Sequence, residues 1–321
     1  MLWQVNTRTR SLKQAGQRIA RKGWALGMKA RRLRRGEVGG IRPENIVWIF
    51  GSARTGSTWL SRMMGELEGH TVWREPLVGA LFGNLYYDRA KHLVGKTGKH
   101  YILSDGYRKS WLDSMRTFIL KEATGRFPEA VGTSNYLVVK EPNGSAGAPL
   151  LMEALPESRM IFLLRDPRDA TASSMDGKRQ GGWQYENRNK GERKPETLAD
   201  TNPDAFVRKR AKNYLQGIRY ARQAYEAHEG RKALVRYEEL RADTLGTMRR
   251  IYSALEIQVD EGELVRAVEK HSWENIPEED KGGGKIFRKA TPGGWREDLT
   301  PEQIEIVEKI TAPLLEEFYP A

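Results

Sequence analysis

Apolar residues in this chain gather into short unbroken runs, each followed by a turn and then by apolar positions at three- and four-residue steps. The clearest case is Ile46-Val47-Trp48-Ile49-Phe50-Gly51, which breaks into Ser52-Ala53-Arg54-Thr55-Gly56-Ser57-Thr58-Trp59 and resumes at Leu60, Met63, Met64 and Leu67. Such a pattern predicts a strand buried on both faces, a loop, and then a helix. Thr71–Trp73 reads as a short second strand that stops at Arg74-Glu75-Pro76, and Tyr136–Lys140 as a buried strand emerging into Glu141-Pro142. Arg159–Leu164 is followed by Arg165-Asp166-Pro167, where Pro167 can open a helix, and Ala233–Tyr237 is a fourth buried strand. Helical spacing is expected over about 107–123, 149–155, 203–229, 243–256, 260–270 and 301–318. Strands alternating with helices predict an α/β fold, a P-loop-like parallel sheet flanked by helices on both faces.

The first forty residues differ from the rest. They hold eleven Lys and Arg against one Glu, so most of the formal net charge of +12 lies there and the other 281 residues carry only about +2. Leu12, Ile19, Leu26 and Leu33 recur at seven-residue intervals among those cations, which predicts a basic amphipathic arm over residues 1–42 and a folded domain over 43–321. The arm could lie on an anionic membrane surface, touch nucleic acid or cover the folded body, or else be a solvated helix packed on its own protein or a partly disordered tail; no nucleic acid is expected as a partner of the nearly neutral body. The chain has no cysteine, which excludes disulfides and thiolate chemistry, and no apolar stretch long enough for a membrane span. A cytoplasmic location, with membrane association through the arm, is the expectation. No His, Asp and Glu spacing suggests a metal site.

The turn after the first strand sits where a helix begins, so unpaired amides and the positive end of the helix dipole meet there and favour an anion. Its glycine spacing matches a nucleotide-triphosphate loop, but Ser57 stands where that loop needs lysine and Arg54 is the nearest cation. In open parallel sheets the ligand crevice lies at the carboxyl ends of the strands, which brings Glu75 and Lys140 to the same edge. Arg165 closes another strand, and Ser173, eight residues on, lies about two helical turns later, so a guanidinium and a hydroxyl could clasp a phosphate together. The polar stretch 177–202 reads as a lid or substrate loop, or else a flexible insertion. Lys281–Arg296, basic and punctuated by glycine, suits closure over an anion.

Four separated segments together resemble the sulfotransferases that use 3′-phosphoadenosine 5′-phosphosulfate (PAPS). Ser52–Trp59 is similar to that family's 5′-phosphosulfate loop, and Arg165–Ser173 to its 3′-phosphate motif. Arg236-Tyr237-Glu238-Glu239-Leu240 resembles the strand end beside adenine, and Phe287-Arg288-Lys289 through Gly294-Trp295 the C-terminal loop. Ala290 and Gly294 depart from the usual glycine and aspartate of that loop. The resemblance implies that Arg54, Thr55, Gly56, Ser57 and Thr58 hold the 5′ end of PAPS and that Arg165, Ser173, Arg288 and Lys289 hold its 3′-phosphate. It further implies that Trp59 and Tyr237 flank adenine, that desulfated adenosine 3′,5′-bisphosphate (PAP) is the product, and that no metal is needed.

Sulfuryl transfer is an in-line displacement whose charge builds on the oxygen of the leaving phosphate, so fixed cations there favour the transition state. Arg54 and Lys140 are the residues chosen for it. An acceptor hydroxyl needs a base, and Glu75, in an Arg-Glu-Pro turn like that of carbohydrate sulfotransferases, is the first choice with Glu141 second. The histidine-type Lys-Thr-His motif is absent after the Lys140 strand. The acceptor is expected to be a carbohydrate, glycoside or other small alcohol. A nucleotide- or polyanion-binding protein, or a small-molecule kinase on a P-loop-like fold, are the alternatives.

Overall fold

The structure, a computed structural model, describes residues 39–89, 98–132, 134–189, 195–285, 287–289 and 291–320. The chain divides into two units at Gly40 and Ile41, and the second, Ile41–Ala321, is the one described below. The expected basic arm falls almost entirely outside the described residues. Ile41 already belongs to the body: it is buried and its amide donates to the Thr124 hydroxyl at 3.0 Å.

Strand β1 (Ile46–Phe50) leads to helix α1 (Ser57–Met64), β2 (His70–Arg74), α2 (Val78–Gly83) and α3 (Arg108–Arg126). Then come β3 (Tyr136–Lys140), α4 (Ala148–Ala154), β4 (Arg159–Leu164), α5 (Pro167–Lys178), α6 (Trp183–Asn189) and α7 (Pro203–Ala227). Strand β5 (Lys232–Arg236), α8 (Tyr237–Ala242), α9 (Thr244–Ala254), α10 (Glu261–Lys270) and α11 (Pro301–Phe318) complete the body. Among the described residues the strands form one five-stranded sheet in the order β2-β3-β1-β4-β5, every pair parallel.

The unbroken apolar runs are explained by burial on both sides. Successive residues of β1 point to opposite faces, and all five are fully buried. Trp48 and Phe50 join Val139, Met160 and Phe162 under Met115 and Ile119 of α3, Leu150 and Leu151 of α4, and Tyr214 and Ile218 of α7. Val47 and Ile49 join Val138, Ile161 and Leu163 under Leu60, Met63 and Met64 of α1, Met248 and Ile251 of α9, and Leu264 of α10. Helices therefore cover both faces, as the sequence pattern predicts. The sheet order reverses about β1, so the segments after β1, β3 and β4 emerge beside one another at one edge.

Two stretches differ from their sequence reading. Residue Tyr237, expected to end a strand, opens α8, which turns its ring toward the loop after β1. The polar stretch 177–202 contains α6 and a helical turn at Leu198–Thr201, where Thr197 and Asp200 form a capping box. Residues 190–194 of it lie outside those described.

Helix α2 lies directly on the turn 142–147 that follows β3. Backbone meets backbone there: a Cβ on Gly79 would clash with the Gly144 carbonyl, and one on Gly83 with Ala146 and Gly147. We expect Gly79→Ala to destabilise the protein by about 1–3 kcal/mol, the usual cost of overpacking. Urea denaturation of the two proteins checks it.

Candidate active site

The loop between β1 and α1 is held from behind by residues that never reach the cleft. The Gly51 amide donates to Ser145 Oγ at 2.9 Å, and the Thr55 hydroxyl turns inward to the Ser52 carbonyl at 2.8 Å. Arg210, buried on α7, donates to the Ala53 carbonyl at 2.6 Å and to Ser52 Oγ at 3.3 Å. Arg54 and Gly56 adopt left-handed backbone with φ of 68° and 91°. Gly56 also has no room for a side chain, because a Cβ would stand 2.6 Å from the Tyr237 ring. The bend leaves α1 without a side-chain cap, so the amides of its first turn are available to an anion.

One cleft is lined by Arg54, Gly56, Ser57, Thr58, Trp59 and Arg165, together with Ser173, Tyr237, Arg288 and Lys289. Ten of the expected binding residues thus come together from five separate segments of sequence. Thr55 is the exception, since its hydroxyl closes the loop and does not face the cleft.

At one end Arg54 Nε donates to Ser173 Oγ at 3.0 Å, and Arg165 Nη1 donates to the Arg54 carbonyl at 3.1 Å. The Arg165 guanidinium lies 4.3 Å from the centre of the Tyr237 ring, and Trp59 meets that ring edge-on at 6.2 Å. Trp59 is oriented by its Nε1–H bond to the His271 carbonyl at 2.8 Å. Asp169 of α5, wholly buried, accepts the amides of Gly293 at 2.8 Å and Trp295 at 3.0 Å, which ties the C-terminal loop to α5. Arg288 and Lys289 on that loop pair with Asp298 at 2.5 and 3.0 Å.

Positive charge accumulates here. Burial first, and then the charges of Arg165, Arg288 and Arg210, push the Arg54 guanidinium down to about 10. A group of guanidiniums that oppose one another's charge in a half-buried crevice suits a polyanion. Among the described residues no cluster of three or more His, Asp and Glu could hold a metal ion.

Lys140 and Glu75 are not among the lining residues: Lys140, buried at the tip of β3, reaches the cleft only through Thr58, donating to its Oγ1 at 3.3 Å, and forms an ion pair with Glu75. Asn143 Nδ2 donates to the second Glu75 oxygen at 2.9 Å. Arg54 and Lys140, expected to act side by side, have different partners: Arg54 leans toward Ser173, with its guanidinium 5.2 Å from the Trp183 ring, and Lys140 toward Glu75. Glu141 is fully buried, and its two oxygens accept the amides of Leu77 and Gly79 at 3.0 and 3.1 Å.

Sequence reasoning missed Arg210 and Ser145, and also Arg241, His271 and Trp273, which line the cleft. Arg210 had a legible signal, since a charge stands in the apolar stripe of Phe206, Val207, Ala211 and Tyr214 on α7. The others had none, because their positions depend on how distant loops fold over the sheet edge.

The model of the sulfotransferase family matches residues 47–261, more than half of the chain. No curated protein matches the sequence. Among solved structures the fold is similar to that of mouse sulfotransferase SULT7A1 complexed with PAP, at 15% identity, with 85% of each chain covered and a TM-score of 0.52. It is also similar to sulfotransferase STF9 from Mycobacterium avium, at 16% identity, covering 91% of this chain and 81% of that one with a TM-score of 0.51. Taken with the phosphate-loop bend, the paired Arg165 and Ser173 and the cationic C-terminal loop, the family match means that this chain belongs to the sulfotransferase family.

Proposed function

We propose that this protein transfers the sulfuryl group of PAPS in line onto the hydroxyl of an acceptor alcohol, and releases PAP. The observation that carries the reading is a single cleft in which Arg54, Arg165, Arg288 and Lys289 share the lining with the Trp59 and Tyr237 rings and with Ser57 and Thr58 of the first turn of α1. PAPS has matching features: a 3′-phosphate, an adenine, and a 5′-phosphosulfate. The 3′-phosphate is assigned to Arg165, Ser173, Arg288 and Lys289, and the phosphosulfate to the first turn of α1 with Ser57 and Thr58. Mouse SULT7A1, similar in fold, was solved with PAP bound.

In the proposed reaction the acceptor oxygen bonds to sulfur while the bond from sulfur to the bridging phosphate oxygen breaks. Lys140, next to Thr58, balances the charge that grows on the leaving phosphate, whereas Arg54, bonded to Ser173, stands with the groups assigned to the 3′-phosphate. Glu75 takes the acceptor proton. Its support is its position at the end of β2, part-exposed and oriented by Lys140 and Asn143, whereas the oxygens of Glu141 are engaged by backbone amides. The Arg74-Glu75-Pro76 turn inclines the acceptor toward a sugar or glycoside hydroxyl. A kinase reading has less support, because Ser57 occupies the place of the phosphate-loop lysine.

PAP at 100 times its dissociation constant should stabilise the full chain by about 2.7 kcal/mol in a thermal-shift assay, and ATP with magnesium should give no comparable shift. Removing one charged hydrogen-bond partner by Arg165→Met should weaken PAP binding by about 10–100-fold in calorimetry. With radiolabelled PAPS and a panel of sugars, glycolipids, phenols and antibiotic-like alcohols, Glu75→Gln should lower kcat by about 10²–10⁴-fold. Its PAP affinity should match the wild type; wild-type turnover would remove Glu75 from the mechanism.

A further inference from the structure

Glu75-Pro76-Leu77 is an unusual turn: Glu75 and Leu77 have φ of 47° and 61°, left-handed values that L side chains rarely adopt. Such conformations persist where surrounding contacts hold them in place. On one side the Glu75 amide donates to the Lys140 carbonyl at 2.8 Å. On the other, Leu77 and Gly79 at the start of α2 donate their amides to Glu141 Oε2 and Oε1, one to each oxygen, and α2 has no side-chain cap of its own.

We infer that Glu141 is a positioning residue, whose ionised carboxylate holds the turn that presents Glu75 to the acceptor. The inference rests on Glu75 being the base. The fold makes room for this carboxylate at a cost: any Cβ on Gly144 would collide with it, and the side chain is 0% exposed. The charged groups that bear on it are Glu75 at the end of β2 and Lys140 on β3; α2 and the turn 142–147 bring no titratable side chain. Burial pushes Glu141 up to about 7, with the neighbouring Glu75 charge adding to the rise and the two amides and Lys140 opposing it. Because its folded value lies above the ordinary carboxyl value of about 4.5, its ionisation removes stability as pH rises from about 4.5 to about 7, and no more above that. Of the two forms of this carboxyl, the ionised one, in which both oxygens can accept, thus contributes less to stability. Once protonated, one oxygen carries a hydrogen that faces an amide donor, and the grip on the turn weakens.

Amide hydrogen exchange on the full chain, with Glu141→Gln beside the wild type, tests this. A glutamine offers one acceptor oxygen where two are needed, so protection at Leu77 and Gly79 should fall about tenfold at pH 8, the loss of one hydrogen bond. Turnover with the panel alcohol that reacts fastest should drop about 10²-fold in kcat, as expected for a misplaced base, with the KM for PAPS and the affinity for PAP unchanged. Between pH 5 and 7.5 the decline in Tm should be smaller in Glu141→Gln than in the wild type. Wild-type protection at both amides in the variant, or wild-type turnover despite lost protection, would overturn the inference. If that variant does not fold, Glu141→Asp decides: its shorter carboxylate cannot span both amides, so protection at Leu77 and Gly79 should fall and kcat with it, and wild-type protection at both amides would overturn the inference. The base reading fails separately, through an active Glu75→Gln, and leaves the exchange result intact.

Discussion

Like charges in a half-buried crevice repel, and much of this structure is arranged to hold them together. Arg54, Arg165 and Arg288 meet in the cleft with Arg210 just behind, and the descent of the Arg54 guanidinium from its usual range reflects its own burial first and then their mutual field. Surface arginines would move apart. Here each is restrained: Arg54 by Ser173, Arg165 by the Arg54 carbonyl and the Tyr237 ring, and Arg288 by Asp298. Held in advance, these groups can meet an anion without the entropy loss of ordering several long side chains.

The restraints come from buried polar residues behind the cleft. Arg210 and Ser145 shape the first loop, and Asp169 anchors the C-terminal loop through two amides. Such groups are costly to bury unless hydrogen-bonded, and their placement behind binding loops fits a role in geometry. Tyr214 does the same for Arg165: its hydroxyl bonds the Arg165 carbonyl, which fixes the end of β4. A short parallel sheet thereby becomes a rigid edge from which loops of unrelated sequence converge.

The surroundings of Lys140, behind Thr58, follow a different logic. Lys140 faces a carboxylate there, and the backbone around Glu75 is bent into a conformation that α2 and the turn 142–147 must maintain. The arginines gathered about Ser173 and the Glu75 carboxylate lie on separate segments, and Lys140, paired with Glu75, meets the first turn of α1 at Thr58. Arg54 leaning toward Ser173 accentuates this separation.

Much of this was written in the linear pattern. Continuous apolar runs require burial on both faces, and that alone predicts a parallel sheet sandwiched by helices. The bend at Gly56 and the Arg165 to Ser173 interval are local, so the residues proposed to bind phosphate can be picked out from spacing. What spacing cannot carry is direction. Thr55 turns inward and Arg54 turns toward Ser173 because of where Ser52 and α5 lie in space, and Tyr237 begins a helix because its ring packs against Gly56. Glu75 and Glu141 have the same chemistry and each stands before a proline at the end of a strand. Only the packing of α2 onto the turn 142–147 made one a part-exposed carboxylate beside Lys140 and the other a buried acceptor of two amides, since burial depends on neighbours distant in the chain.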